Sequence, residues 1–320
     1  MKIKGKNDIM DNLEMIGILK SNIEKRIVGK SDIVDRLITA LLSEGHVLIE
    51  DVPGVGKTTL AKSLSDSLAL SFARIQCTPD TMPSDITGLS VYNTKTGDFE
   101  VVPGPVMNNI VLADELNRTS PKTQSALLQA MEEHSVTIDG KNLPLPEPFM
   151  VIGTQNPMET AGTYPLPEAQ LDRFMLRLKI GYPVSSDAVK MAESFLEGTL
   201  HQETGAVLEG SDVIRLRTDV KEVKVNGSLT DYAVLIIEAT RNDTDIACGA
   251  SPRALLSLLR YAQAHSLYEG RDYCIPEDIL NAALITLPHR LILTAQARMN
   301  RMSQDKVIKR ITDHIKVPSR

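Results

Sequence analysis

The chain has 320 residues, 42% of them hydrophobic and 24% charged, with a net charge of −6. That composition argues against a disordered or membrane-embedded chain, and the negative balance argues against a broad nucleic-acid-binding field. Cys77, Cys248 and Cys274 follow no metal-ligand spacing and read as thiols of a reducing cytoplasm.

The first twenty residues, MKIKGKNDIMDNLEMIGILK, lack the apolar core of a signal peptide. No run approaches the roughly 18 apolar residues of a membrane span. The length suits two domains. Residues 8–25 read as a weakly patterned helix. IVGKSDIVDRLITALLSEG is clearer: Ser31 is placed to cap a helix with Ile33, Val34, Leu37, Ile38, Leu41 and Leu42 on one face, and Gly45 ends it.

HVLIEDVPGVGKTTLAKSL follows. His46 to Glu50 is a short apolar run that predicts a strand, and Leu60, Leu64 and Leu68 lie on one face of a helix over 58–70. Between them Pro53, Gly54, Val55, Gly56, Lys57, Thr58 and Thr59 form a glycine loop. Glycines that accept positive φ let successive N–H groups turn inward around a phosphate, and the helix adds its positive end. Lys57 would neutralise the β- and γ-phosphates, and Thr58 would hold Mg²⁺ through its hydroxyl. Thr59 has no separate role. Asp51 stands where the phosphate-loop fingerprint asks for its first glycine, at the strand end farthest from the lysine. Asp tolerates turn conformations, so a working site is expected provided its carboxylate does not face the phosphates.

SFARIQC (71–77) predicts a second strand. GLSVYN and DFEVVPG, joined by TKTGD, predict a hairpin at about 88–104. NNIVLADELNRT is a third strand ending in Asp114 and Glu115, and Ser120-Pro121 opens a helix through KTQSALLQAMEE. SVTIDGKNLPLP predicts another hairpin turning at Asp139-Gly140. FMVIGTQNP and RFMLRLKIGYP supply a fourth and a fifth strand. Alternating strands and helices predict an α/β fold with a five-stranded parallel sheet, over residues 1–183. The remainder, 184–320, reads as a smaller all-helical domain with segments at 185–198, 228–242, 251–266, 276–286 and 303–315. VIRLRTDVKEVKV is ambiguous.

The chemistry collects at strand ends. Asp114 would sit beside the metal and Glu115 would polarise an attacking water, although many strands simply end in surface carboxylates. Asn156 ends the fourth strand, where open α/β sheets bind ligands; an ordinary Asn-Pro turn is the plainer account. Arg173, just ahead of the fifth strand, suits a phosphate because its charge is permanent and its donors fork; otherwise it pairs with Asp172. Arg253 opens the helix after Ser251-Pro252, the usual place of a solvated first-turn arginine.

Order and spacing together resemble the MoxR group of AAA+ ATPases. The matching stretches are EDVPGVGKTTLA, RIQCTPDTMPSDITG, ADELNRTSPKTQSALLQAMEE, FMVIGTQNPMETAGTYPLPEAQLDRFMLRL, GASPRALLSLLRYAQAHSLYEGRDYCIPEDI and LPHRL, covering most of residues 28–290. The resemblance implies a P-loop AAA+ core over 1–183 and a helical lid over 184–320, with ATP and Mg²⁺ as cofactors. Lys57 and Thr58 would be the Walker A lysine and hydroxyl, and Asp114 and Glu115 the Walker B metal carboxylate and base. Asn156 would be the sensor-1 residue and Arg173 the arginine finger. Arg253 would be the lid's sensor-2 arginine, acting within or between subunits. Val28 and Gly29 would touch adenine through their backbone. The 88–104 hairpin would be the helix-2 insert and 135–147 the hairpin before sensor 1. Gln76 and Cys77 fall where related ATPases sense nucleotide, but Cys77 matches poorly and no switch is assigned.

A finger in trans implies a homo-oligomer, expected as a hexameric ring. The resemblance further implies chaperone-like remodelling or maturation of a protein client, such as metallocofactor insertion. It also implies a von Willebrand A-type adaptor, which would be a separate chain because this one shows no D-x-S-x-S motif. A chelatase motor subunit shares the same ATPase parts. A nucleic-acid motor of the same branch predicts basic hairpin tips, which NTKTGD and IDGKN do not supply. A non-hydrolysing scaffold predicts a broken Glu115 or Arg173, and both are present. The six histidines are scattered and read as structural.

Overall fold

The computed structural model describes residues 6–159, 162–198 and 205–318. Residues 1–5 of the expected core, 199–204 and 319–320 of the expected lid, and Thr160 and Ala161 of the METAGTYP stretch lie outside the described residues.

In chain order the elements are α1 (Lys6–Glu24), α2 (Ser31–Leu42), β1 (Val47–Glu50), α3 (Lys57–Ser67), β2 (Phe72–Gln76), α4 (Pro83–Thr87), β3 (Gly88–Asn93) and β4 (Asp98–Pro103). Then come β5 (Ile110–Asp114), α5 (Pro121–Glu133), β6 (Ser135–Ile138), β7 (Lys141–Pro144), β8 (Met150–Gln155), α6 (Glu168–Leu171) and β9 (Leu176–Leu178). The C-terminal part holds α7 (Ser185–Leu196), α8 (Gly210–Glu222), α9 (Gly227–Asn242), β10 (Ile246–Cys248), α10 (Pro252–Tyr268), α11 (Pro276–Thr286), β11 (Ile292–Leu293), α12 (Ala295–Met299) and α13 (Gln304–His314).

The five predicted strands form one sheet in the order β2-β5-β8-β1-β9, every pairing parallel. A strand's side chains alternate between faces, so a sheet covered on both sides needs apolar residues at every position. That is what β1, β5 and β8 carry. Val47, Ile49, Ile110, Leu112, Met150 and Ile152 join one buried cluster; Leu48, Val111, Ala113 and Val151 join the other. The first cluster runs on through α1, α2 and α3 into α8 to α11 and α13, so the C-terminal helices share a core with the sheet. The second packs under α5 and the β6–β7 hairpin.

Both expected hairpins form. Asp139 and Gly140 turn the second with φ of 48° and 76°, the paired positive values of a tight hairpin turn. The first stands out from the molecule, with Tyr92 and Phe99 edge to face at 5.3 Å and both exposed. The C-terminal part departs from all-helical: β10 and β11, brought together from either side of α10 and α11, form a two-stranded antiparallel ribbon in which the paired Ile246 and Leu293 are buried. The ambiguous stretch is the helix α8, followed by a bridge from Lys224 to Tyr273. Ser31 is the first helical residue rather than a cap; Lys30 holds the cap position without a side-chain bond.

Candidate nucleotide site

Two adjoining cavities open at the carboxyl end of the sheet. One, of about 390 Å³, is lined by Pro53, Gly54, Gly56, Lys57, Thr58, Thr59, Arg74, Gln76, Asp114 and Glu115. The other, of about 250 Å³, lies against the same loop and includes Ile27, Val28, Val55, Ile180, Gly181 and Met191 in its wall. Gly54, Gly56 and Thr59 border both. A polar chamber joined to an apolar one has the character of a phosphate site beside a base site.

The loop adopts the backbone its glycines predict. Gly54 and Gly56 have φ of 84° and 91°, and α3 starts at Lys57. The Lys57 ammonium donates to the carbonyl of Asp51 at 2.6 Å. Burial lowers its pKa, and the nearby carboxylates of Asp114, Asp51 and Glu115 act against that. Asp51 explains itself. Its carboxylate accepts from the N–H of Val52 at 2.8 Å and of Gly181 at 2.6 Å. It therefore faces the chain leaving β9, and ties the loop to a wall of the apolar chamber.

The two carboxylates at the end of β5 are held differently. Asp114 accepts from the Thr154 hydroxyl at 2.6 Å and pairs with Arg74 at 2.6 Å. Glu115 takes a left-handed conformation, φ 59° and ψ 48°, which costs a residue with a Cβ roughly 1–2 kcal/mol. Its N–H donates to the same Thr154 hydroxyl at 2.9 Å, and its carboxylate meets Arg118 at 3.3 Å and Gln76 at 3.4 Å. Such strain at a strand end next to a polar cavity is characteristic of functional sites. Cys77 is buried, and burial followed by the Asp114 and Glu115 charges pushes its thiol up to about 12. It stays a neutral thiol.

Two expected contacts are looser. Val28 lines the apolar chamber, but Gly29 does not. Its φ of 72° turns the chain there, and an added Cβ would strike Asp187. Asn156 stands just past β8, between the loop strand and the carboxylate strand, yet is not in the cavity wall. Its side-chain oxygen instead accepts from Met158 N–H at 3.1 Å, closing a local turn.

Arg173 and Arg253 lie elsewhere. They line a third cavity, about 220 Å³, with Glu44, Gly45, His46, Met131, Glu132, His134, Asp172, Met175 and Ser257. Glu44 to His46 precede β1 and Arg173 to Met175 precede β9, so this cavity is at the amino end of the parallel strands. The phosphate loop follows the carboxyl end of β1, and four residues of strand alone separate the ends by about 13 Å. Arg173 pairs with Glu132 at 3.0 Å, and Arg253 pairs with the other oxygen of the same carboxylate. Asp172 does not partner Arg173. It accepts from Ser251 at 2.9 Å and pairs with buried Arg290 at 3.4 Å.

Comparison with known proteins gives the family. Residues 46–176 match the model of the ATPase family associated with various cellular activities, and 238–311 match an AAA lid domain. The chain is 40% identical over 305 residues to Chaperone MoxR1 of Mycobacterium tuberculosis, covering 92% of this chain and 80% of that protein. It belongs to the MoxR family of AAA+ ATPases. The uncharacterised protein YeaC of Bacillus subtilis is 47% identical over 304 residues, 95% of each chain. A solved structure of a protein assigned as an ATPase in Cytophaga hutchinsonii superposes with a TM-score of 0.91 at 36% identity, over 98% of both chains.

As a MoxR-family ATPase the chain binds nucleotide, and the α/β core with its helical C-terminal region is the fold expected. Four residues at these sites were not singled out by sequence. Thr154 and Arg74 reach Asp114, Glu132 gathers the two arginines, and Arg290 grips the segment beside Arg173. Only for Arg74 was there a signal: it alternates with Gln76 along β2, so both face the cavity. No described helix is long and apolar enough to cross a membrane.

Proposed function

We propose that this MoxR-family ATPase hydrolyses ATP at interfaces between copies of itself, and uses the cycle for chaperone-like remodelling of a protein client. The observation that carries this reading is the placement of Arg173 and Arg253 at the sheet end opposite the chain's own phosphate loop. Two guanidiniums there are remote from the phosphate loop of their own chain. They suit the terminal phosphate held by a neighbour, which makes a closed ring, a hexamer in our reading, the active form. A finger supplied in trans is worth about 10³ to 10⁵ in rate in other phosphoryl-transfer enzymes.

Within one chain, Val28 and the apolar chamber would take the base, with Gly29 shaping its entrance. Pro53, Gly54, Val55, Gly56 and Thr59 would wrap the phosphates and Lys57 would neutralise them. Thr58 and Asp114 offer the hard oxygen donors Mg²⁺ takes, and bound Mg²⁺ would neutralise charge on the phosphate oxygens. Arg74 must yield Asp114 for that to happen. Glu115 would polarise the attacking water, aimed by its left-handed backbone, and Asn156 would turn inward to hold that water against the phosphate. A division near residue 183 would let lid and core respond differently to bound and spent nucleotide.

The relative's name, Chaperone MoxR1, supports remodelling of a protein. So does the 88–104 hairpin, whose exposed Leu89, Val91, Tyr92, Phe99 and Val102 favour a protein surface over a phosphate backbone. Metallocofactor insertion, a von Willebrand A-type adaptor and a cytoplasmic location complete the proposal; a chelatase-type motor remains the second reading, with the same ATPase parts. The test is a mixing experiment. Arg173→Ala and Lys57→Ala are each expected to turn over slowly as pure rings. Mixed one to one, they should regain activity, because the Lys57→Ala subunit lends an intact finger to a subunit with an intact loop. No regain on mixing, with assembly intact, would refute catalysis between subunits.

A further inference from the structure

The third cavity is built across the seam between sheet and lid. Arg173 comes from the core segment before β9, and Arg253 from the first turn of α10. Glu132 comes from the last turn of α5. Among the described residues, its carboxylate is the one group bonded to both arginines, one oxygen to each. Around it the lid holds the finger segment on both sides. Ser251 donates to Asp172 at 2.9 Å, and Arg290 and His289 reach the carbonyl of Phe174 at 3.0 and 2.9 Å.

Two like charges this close repel, and their side chains would turn apart on their own. A carboxylate between them cancels one charge and sets their spacing, leaving a net positive pair. The Arg173, Arg253 and Glu132 side chains are 29%, 45% and 40% exposed, so the pair is open to an incoming anion. Each guanidinium keeps donors free beyond the one spent on Glu132, because arginine carries five N–H groups in a fork.

We propose that Glu132 is a positioning residue that holds Arg173 and Arg253 as a single two-guanidinium clamp for the terminal phosphate bound to an adjacent copy of this chain. The inference rests on the reading that both arginines serve a neighbour's nucleotide. Glu132 couples them: when the lid carries Arg253, the carboxylate keeps Arg173 in step. The nucleotide then meets either both arginines or neither.

The test compares Glu132→Gln with Arg173→Ala in nucleotide affinity, ring size by sizing chromatography, KM and kcat. Gln keeps the shape but presents an NH₂ group to one guanidinium. ATP affinity, ring size and KM should stay within about twofold, because Glu132 is at the far end of the sheet from its own loop. The kcat should fall about 10- to 100-fold, the scale expected when a reacting group is misplaced by about an ångström. Adding Arg253→Ala to Glu132→Gln should cost less than Arg253→Ala alone, and mixing Glu132→Gln with Lys57→Ala should restore turnover. If the Gln protein does not assemble, Glu132→Asp, which keeps the charge but loses the reach, is read the same way. Slow Arg173→Ala with parental turnover in Glu132→Gln overturns the inference alone. Parental turnover in Arg173→Ala overturns the finger reading and the inference with it.

Discussion

Replacing Thr154 with Val tests how the two carboxylates at the end of β5 are set. Thr154 is fully buried, and its hydroxyl bonds Asp114 at 2.6 Å and Glu115 N–H at 2.9 Å. Valine has nearly the same shape, so no cavity opens and the loss is confined to those two bonds. A hydrogen bond to a charged group is worth about 1.5–3 kcal/mol, and a buried N–H left unpaired costs about 1–3 kcal/mol. The sum, about 2.5–6 kcal/mol, exceeds the roughly 1–2 kcal/mol stored in the left-handed Glu115. That residue should therefore relax and swing its carboxylate away from the cavity. Steady-state ATPase assays on the Thr154→Val protein should show kcat down about 100-fold, as for other small misplacements of reacting groups. Nucleotide should still bind, because Lys57 and the glycine loop are untouched, and Thr154→Ser should recover most of the rate. Turnover within twofold of the parent in a folded Thr154→Val protein would refute the claim that this hydroxyl sets the carboxylates.

Acid should weaken the protein through two histidines that flank the segment 173–175. Burial foremost lowers His46 to about 4 and His289 to about 3, from 6.5. The unfolded chain thus takes up protons that the native one refuses as pH falls below 6.5. Stability is present above that value and lost below it, by about 2 kcal/mol per histidine at pH 5. Urea unfolding followed by circular dichroism at pH 7.5 and 5 should show about 4 kcal/mol less at the lower pH, and a flat profile would contradict it. Asp51→Gly restores the fingerprint glycine but removes the acceptor for Val52 and Gly181 N–H. The KM for ATP should rise, and an unchanged or lower KM would make Asp51 a passive substitute. Asp278 is buried, where desolvation works to raise its pKa. Bonds from Arg271, His265, Ile275 N–H and Ser266 overcome this and hold it well below 3.8. Its stabilisation is present above about pH 4 and is lost as pH falls through the native value. Asp278→Ala should cost about 3–5 kcal/mol at pH 7, as breaking a buried pair does, and a melting curve matching the parent would exclude that.

Much of the nucleotide site was legible because it is local. The turn needs Gly54 and Gly56 at positive φ whatever surrounds them, and α3 must start where the loop ends. Cap chemistry is equally local: Ser120 and Ser251 each accept from an N–H of the first helical turn, as their Ser-Pro pairs predict. The continuous apolar runs of β1, β5 and β8 required a sheet buried on both faces, and the alternation of strands with helices along the chain required it parallel. These features depend on backbone sterics and on which side chains avoid water, and both can be read within a dozen residues.

The tertiary structure decided what depends on residues distant in sequence. Arg173 and Arg253 are 80 positions apart, and nothing near either predicts that they share Glu132. Thr154 looks like any strand threonine until β8 comes to lie beside β5, which brings its hydroxyl to Asp114, 40 residues earlier. Arg74 on Asp114, and the ribbon of β10 and β11, likewise arise from packing. The sequence determined that a nucleotide loop and two strand-end carboxylates exist. Only the packed sheet placed the arginines at its opposite end, because a direction along parallel strands has no meaning until the strands are side by side.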